Sequence, residues 1–498
     1  MSAVSGSAVP ESRLSRSQVT PVLLLTLAIG LVHLAMAGLI PVFNDEAYYA
    51  LWATRLAPDY YDHPPMIALW IWVGEALLGS GPAGIRLVSV VGFASVTLLT
   101  WNIARCLGAG PRRAFAAALF YNIMALPAAL GFTATPDAPS TFFWALSLWL
   151  TVRAADPKGG RRLWALAGVA AGLGVLSKFT NLFFGVGVLA WLLASREGRR
   201  RLLSSGPWIM AATTLLTLAP FLLWNATHEW YGFERQFSRL DASVSHGSHM
   251  GDYLAATILS VTPLLIVPVL RGIWRARGVA ALMTATSLPS LLFLGYHALT
   301  AAVQANWIVP LCPGLAVLAA VGLRKPGLFR VGVPALAGGG VAVAGLVLAF
   351  WPGAPVFPGD NPANQTKGWP DMTRALGVRA EHSSARWIAT DDYGTTGALA
   401  LRFPALPVWQ VTETRRYLFR YTMPHALCSA PGLLVQPMPV AANEGATTLF
   451  ETAGRPEVLT RASRGAALKR YQVTEVRGLR TCTESATVIP AEILRTPR

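Results

Sequence analysis

Charge is scarce in this chain, and acid is scarcer than base. Only 13% of the 498 residues are Asp, Glu, Lys or Arg, while 53% are hydrophobic; soluble domains carry about 25% charge. That balance excludes an ordinary solvated enzyme and implies a polytopic membrane protein. The 41 basic residues against 25 acidic ones give a net charge of +16. The base lies in short clusters between apolar segments, so it reads as membrane topology rather than nucleic-acid binding. There are four cysteines and no Cys/His spacing of metal type. A nucleotide cradle is missing, as are an internal repeat and a small-residue cleavage site after the first apolar segment, which is read as a retained anchor.

What is present is a series of apolar stretches of about 20 residues. They fall near 21–42, 83–104, 114–132, 138–152, 163–177, 181–195, 205–224, 253–270, 279–297, 304–323 and 331–351. The breaks alternate in charge. Arg105/Arg112/Arg113, Arg153/Lys158/Arg161/Arg162, Arg196/Arg199/Arg200/Arg201 and Arg271/Arg275/Arg277 mark one side, and most of the acids mark the other. The positive-inside rule makes the first set cytoplasmic. The expected architecture is a polytopic α-helical membrane protein of about 11 transmembrane helices, amino terminus inside and carboxyl terminus outside. Residues 1–20 read as a disordered tail, 21–351 as the membrane domain with its first outer loop at 43–82, and 352–498 as an outer α/β domain. In that last part Arg386–Thr390, Leu406–Val411, Leu433–Gln436, Val458–Thr460 and Tyr471–Val476 predict strands, and Gly394–Phe403 is compatible with a helix. Cys428 and Cys482 both fall there, where an oxidising compartment permits a disulfide.

The candidate chemistry collects on the outer side. Asn44-Asp45-Glu46-Ala47-Tyr48-Tyr49 and Tyr60-Tyr61-Asp62-His63-Pro64-Pro65 follow the first span. Carboxylates at a membrane edge are costly unless something uses them. Capping of a short helix explains one acid of the Asp45/Glu46 pair but not both. Tyr48 and Tyr49 either shape a sugar-sized site or anchor at the interface. The 66–78 segment predicts an amphipathic helix on the membrane surface, so His63 is either structural at its start or a phosphate donor or proton relay. Asp137 lies in a Pro-bracketed turn and suits capping. Lys178, the one basic residue between its two spans on that face, wants either Asp137 or an anionic ligand. Arg235 and Arg239 sit in an aromatic loop where they can fork a phosphate. Gln304, Asn306 and Trp307 read as interface anchors.

In combination and order, Asn-Asp-Glu-Ala-Tyr-Tyr, Tyr-Tyr-Asp-His-Pro-Pro-Met, Thr-Pro-Asp-Ala-Pro, Ser177-Lys178-Phe179-Thr180, Trp224-Asn225 and Ala305-Asn306-Trp307 resemble the bacterial GT-C glycosyltransferases. These are relatives of the protein O-mannosyltransferases and of the lipid A aminoarabinose transferase. The likeness covers roughly 20–350 and continues into Ala389-Thr390-Asp391-Asp392-Tyr393. It implies an inverting enzyme of the bacterial inner membrane with a periplasmic active site. Its donor would be a sugar on polyprenyl phosphate, and its acceptor lipid A, lipopolysaccharide core, another glycolipid or a protein. By the resemblance Asp45, with Glu46, is catalytic. His63, Lys178, Arg86, Arg235 and Arg239 meet the donor phosphate, while Asp62, Asp137, Tyr48 and Tyr49 structure the site. No definite cofactor is implied, and Asp62 could help bind a divalent cation. His63 stands where the aminoarabinose transferases have a Lys before the two prolines, so the sugar is not carried over. The competing expectation is a transporter or flippase of lipid-linked sugars, which would place ionisable groups near the midplane in matching halves.

Overall fold

The computed structural model describes residues 16–194, 196–230, 232–236, 248–350, 356, 358–359, 361–417, 419, 421–440, 445–480 and 487–488. Each apolar segment is helical, because Leu, Ala and Val runs in lipid can satisfy their backbone only within one segment. Helices α1 (Arg16–Leu39), α4 (Pro82–Cys106), α5 (Pro111–Ile123), α6 (Ala125–Leu130), α7 (Asp137–Ala154), α8 (Arg161–Val175), α9 (Leu182–Ala194), α10 (Arg196–Leu202) and α11 (Ser205–Ala226) form the first part. The bundle continues with α12 (Met250–Val261), α13 (Pro263–Arg275), α14 (Ala281–His297), α15 (Cys312–Gly322) and α16 (Leu328–Phe350). Two shorter helices, α2 (Asn44–Ala53) and α3 (Met66–Leu78), occupy the first loop. Their positions make α4 a hub that touches α1, α3, α5 and α7.

The roughly eleven crossings expected are not all full-length spans. Among the described residues six helices are long and apolar enough to cross a membrane, or up to eight if each bent pair counts as one. The breaks have local causes. Thr262 sits at φ 74° ahead of Pro263, and α12 and α13 meet there at 90°. A positive φ is a genuine outlier for a β-branched residue. The buried Thr262 hydroxyl donates to the Ile123 carbonyl at 3.1 Å, which pins the bend to the end of α5. At that end Met124 is extended, dividing α5 from α6.

The carboxyl-terminal part is an α/β sheet domain. Strands β1 (Trp387–Thr390), β2 (Val408–Gln410), β4 (Gly432–Pro437), β5 (Phe450–Ala453), β6 (Glu457–Ser463) and β7 (Ala466–Leu479) make one sheet. A two-stranded ribbon pairs β3 (Tyr421–Thr422) with β8 (487–488). β1 runs parallel to both β2 and β4, while β7 is antiparallel to β4. Helices α17 (Trp369–His382), α18 (Tyr393–Arg402) and the short α19 (His425–Cys428) complete it. Cys428 is disulfide-bonded, and its predicted partner Cys482 lies outside the described residues.

This domain sits directly on the first loop. One buried apolar cluster contains Tyr48, Trp52, Tyr60 and Ile67 from the loop together with Trp369, Ile388, Leu399 and Tyr417 from the sheet domain. Arg402 of α18 donates to the Val42 carbonyl. Inside the loop, Trp52 stacks on Tyr60 with centroids 4.4 Å apart, and the Tyr60 phenol donates to the Trp52 carbonyl at 3.1 Å. The loop is therefore a folded platform, wedged between bundle and sheet.

Candidate active site

Four acids converge where loop, bundle and sheet domain meet, and three of them are matched to cations. Glu46 is fully buried, as is Arg86. Arg86 Nε donates to Glu46 Oε1 at 2.7 Å and Nη2 to Oε2 at 2.5 Å. Arg86 spends its other N–H groups on the carbonyls of Ala37, Ile40 and Pro41. Glu46 also accepts from the backbone N–H of Ala134 at 2.7 Å and of Phe43 at 2.9 Å. A guanidinium has five donors, so Arg86 has none left for a phosphate. In this arrangement Glu46 caps the start of α2 and Arg86 ties it to the end of α1, contacts to be set beside the catalytic and phosphate-binding roles expected of them.

Asp137 and Lys178 are both buried and pair at 2.6 Å. Asp137 Oδ2 also accepts from Asn306 Nδ2 at 2.7 Å. Asn306, expected as an interface anchor, is brought to Asp137 by its 3-10 turn (Ala305–Leu311) at the head of α7. Asp62 is held by Arg416, by Tyr48 Oη at 3.0 Å and by Arg235 Nε at 3.5 Å. That set does not fit a divalent cation, because two guanidinium groups already face the carboxyl. Among the described residues no group of three or more His, Cys, Asp and Glu is placed to hold a metal ion.

Asp45 differs from the other three. It lies in the first turn of α2, and its one side-chain hydrogen bond among the described residues comes from Tyr393 Oη to Oδ1 at 3.2 Å. Solvent reaches the residue, yet protein atoms crowd its carboxyl. This crowding pushes its carboxyl above the usual carboxylate range, against the Tyr393 bond, and the nearby charges of Glu46, Asp62 and Asp137 push it further. Beside it the phenols of Tyr48 and Tyr49 are driven well above their ordinary value by burial, and by the charges of Asp62 and Asp45 respectively. His63 sits edge-on to Tyr49, ring centroids 6.1 Å apart. Arg239 lies outside the described residues.

Arg416 was not legible in advance. It stands in a 3-10 turn (Thr414–Tyr417) after β2, bonded to Glu413 Oε2 at 2.8 Å and lying over the rings of Tyr61 and Tyr393. Burial works against its charge, but Glu413 and Asp62 outweigh that and hold the guanidinium above its ordinary value. Its neighbour Arg415 bonds Glu234 at 2.9 Å, and Gln236 Nε2 donates to the Asp62 carbonyl at 2.8 Å. The loop after α11 is therefore clasped to the same corner of the sheet domain.

Asp59 is a further buried acid of the loop, accepting from Asn225 Nδ2 at 3.0 Å and from the Tyr60 N–H at 2.8 Å. Burial lifts its carboxyl to about 7, over the pull of those two bonds. The folded protein then keeps a proton that the unfolded chain gives up near pH 4. Stability from this group is full below that point and is lost as pH rises through about 7. Asp59→Asn is expected to flatten the fall in Tm between pH 4 and pH 7, which scanning fluorimetry of the purified protein would read; an unchanged slope would refute the assignment.

A bundle of membrane helices bearing a folded first loop, with acids at one face and a sheet domain closing over them, is the GT-C glycosyltransferase architecture. The chain is a multi-pass membrane protein with a fold of that kind. Residues 62–224 match the family described as dolichyl-phosphate-mannose-protein mannosyltransferase. An undecaprenyl phosphate-alpha-4-amino-4-deoxy-L-arabinose arabinosyl transferase of Pseudomonas aeruginosa (strain LESB58) is 30% identical over 365 residues, covering 63% of this chain and 64% of the relative. The lipid A galacturonosyltransferase RgtD of Rhizobium johnstonii is 25% identical over 375 residues, covering 70% and 75%. The chain thus spans somewhat under two thirds of the first relative's length. Among solved structures it is similar to ArnT from Cupriavidus metallidurans, with TM-score 0.64 in the apo state at 14% identity, covering 92% of this chain and 98% of that one. The same protein bound to undecaprenyl phosphate gives a TM-score of 0.60. At that identity the likeness is one of fold.

Proposed function

We propose that this protein is an inverting glycosyltransferase that moves a sugar from a polyprenyl-phosphate donor to an envelope glycolipid. The observation that carries this is the pairing pattern among the described residues: Glu46, Asp62 and Asp137 each face a cation, while Asp45 is bonded by a phenol. A carboxylate without a cation, with its affinity for protons raised, suits a general base. Asp45 takes the proton of the acceptor hydroxyl as that oxygen forms its bond to the anomeric carbon. The bond from that carbon to the lipid phosphate oxygen breaks, the electron pair leaves with the phosphate, and configuration inverts. His63, Arg235 and Lys178 are the residues proposed to meet the departing phosphate. The relatives' names supply the chemistry of donor and acceptor, an undecaprenyl phosphate sugar and lipid A. A transporter is not favoured, because these acids gather at one face.

The proposed setting is the bacterial inner membrane, with the site on the periplasmic side. That orientation follows from the basic clusters of the opposite loops. The test is reconstitution of the full-length protein with a panel of polyprenyl-phosphate pentose, hexose, amino sugar and uronic acid donors and with lipid A as acceptor. Mass spectrometry is expected to show lipid A gaining the mass of one sugar from one donor. Transfer from nucleotide sugars alone, or from none of the lipid donors, would overturn the proposal.

A further inference from the structure

Tyr393 joins the sheet domain to the proposed base across 348 residues of sequence. It opens α18, directly after β1, and β1 is the strand at which the sheet's winding reverses: β2 lies on one side and β4 on the other. In open α/β sheets ligands lie outside the carboxyl ends of the strands at such a reversal. Here that end is turned toward the first loop. Its placement is tightly set. Asp392 caps α18 through a bond from the Thr395 N–H at 2.9 Å. α18 lies so close to α2 that a Cβ on Gly397 would come within 2.7 Å of the Tyr48 backbone nitrogen. The Tyr393 ring is packed at 5.0 Å from that of Tyr48 and lies 4.9 Å beneath the Arg416 guanidinium.

We infer that Tyr393 is a positioning residue for Asp45: by donating to Oδ1 it fixes the carboxylate so that Oδ2 faces the acceptor hydroxyl, and the outer domain thereby completes the active centre. This rests on Asp45 being the base. A carboxylate with both oxygens free to rotate offers no fixed direction for proton transfer, and orientation is a large part of what a site contributes. The bond also favours the charged form of Asp45, which crowding and the surrounding acids Glu46, Asp62 and Asp137 disfavour. Of the phenols near it, Tyr393 makes the bond, and Tyr49 lies alongside without one. Burial and the Asp45 charge keep the Tyr393 proton in place, so it stays a donor wherever the enzyme would work.

The experiment compares Tyr393→Phe, Asp45→Asn and the unaltered full-length protein in the reconstituted transfer assay, across pH. Phe keeps the packing against Tyr48 and Arg416 and removes only the hydroxyl. Tyr393→Phe is expected to lower kcat about tenfold at neutral pH, the scale of a hydrogen bond to a charged group. Acceptor KM should change little, and the acid limb should move to higher pH with partial recovery of rate above it. A wild-type profile would overturn the inference. So would a loss equal at every pH with a raised KM and a lowered Tm, which is what domain docking alone would give. If Asp45→Asn itself retains transfer, the base assignment fails first and the inference falls with it, an outcome distinct from the other two.

Discussion

Asp45→Asn is expected to yield a folded protein whose transfer rate falls by about a hundred- to ten-thousandfold, the range that a positioned base contributes. Folding survives because nothing is orphaned. Among the described residues Asp45 pairs with no cation, and Tyr393 Oη keeps an oxygen to donate to when Asn takes its place. Removing a carboxyl that its surroundings crowd costs the fold little, so Tm should hold or rise slightly. The unaltered enzyme should show a rate that drops as pH falls through an acid limb above the usual carboxylate range, since crowding raises the Asp45 carboxyl and only its deprotonated form accepts a proton. Asp45→Asn should lose that limb along with the rate. Full transfer by this variant in the reconstituted assay would remove Asp45 from the chemistry.

Much of this frame was legible in the sequence. The helix expected over 66–78 is α3 with the same limits, because amphipathic spacing and a proline start are local signals. The five strands expected after residue 385 correspond to β1, β2, β4, β6 and β7. The span count was less legible, since a break such as Thr262-Pro263 lies inside continuous apolar sequence and hydropathy does not register a bend. Roles within the acid cluster were harder still. Asp45 and Glu46 are adjacent and chemically alike, but the helix leaves one exposed and buries the other. What sets them apart is the pairing of Glu46 with Arg86, 40 residues on. A hint existed: Glu46 lies three residues after Phe43, the spacing at which an acid reaches back to cap a helix start. For Arg416 there was none. It meets Asp62 across 354 residues, in a domain whose docking onto the loop follows from packing and not from any local pattern.

That contrast yields the largest expected effect on stability. Glu46→Gln should destabilise the protein by about 3–5 kcal/mol, because it leaves the Arg86 guanidinium buried with its charge uncompensated. Arg86→Lys should be damaging too, since an ammonium has three donors where the guanidinium uses five, and the carbonyls of Ala37, Ile40 and Pro41 would lose partners. The paired change Glu46→Gln with Arg86→Gln should cost less than the sum of the two single changes, as expected for groups in direct contact. Thermal unfolding of the unaltered protein, Glu46→Gln, Arg86→Lys, Arg86→Gln and the double variant in one detergent reads all three comparisons. The kinetic readout separates Glu46 from Asp45 in turn. Whatever fraction of Glu46→Gln remains folded should retain most of its specific transfer rate, because Asp45 and Tyr393 are untouched. A Glu46→Gln protein with normal Tm and no transfer would return Glu46 to the chemistry and make the ion pair with Arg86 a device for tuning it.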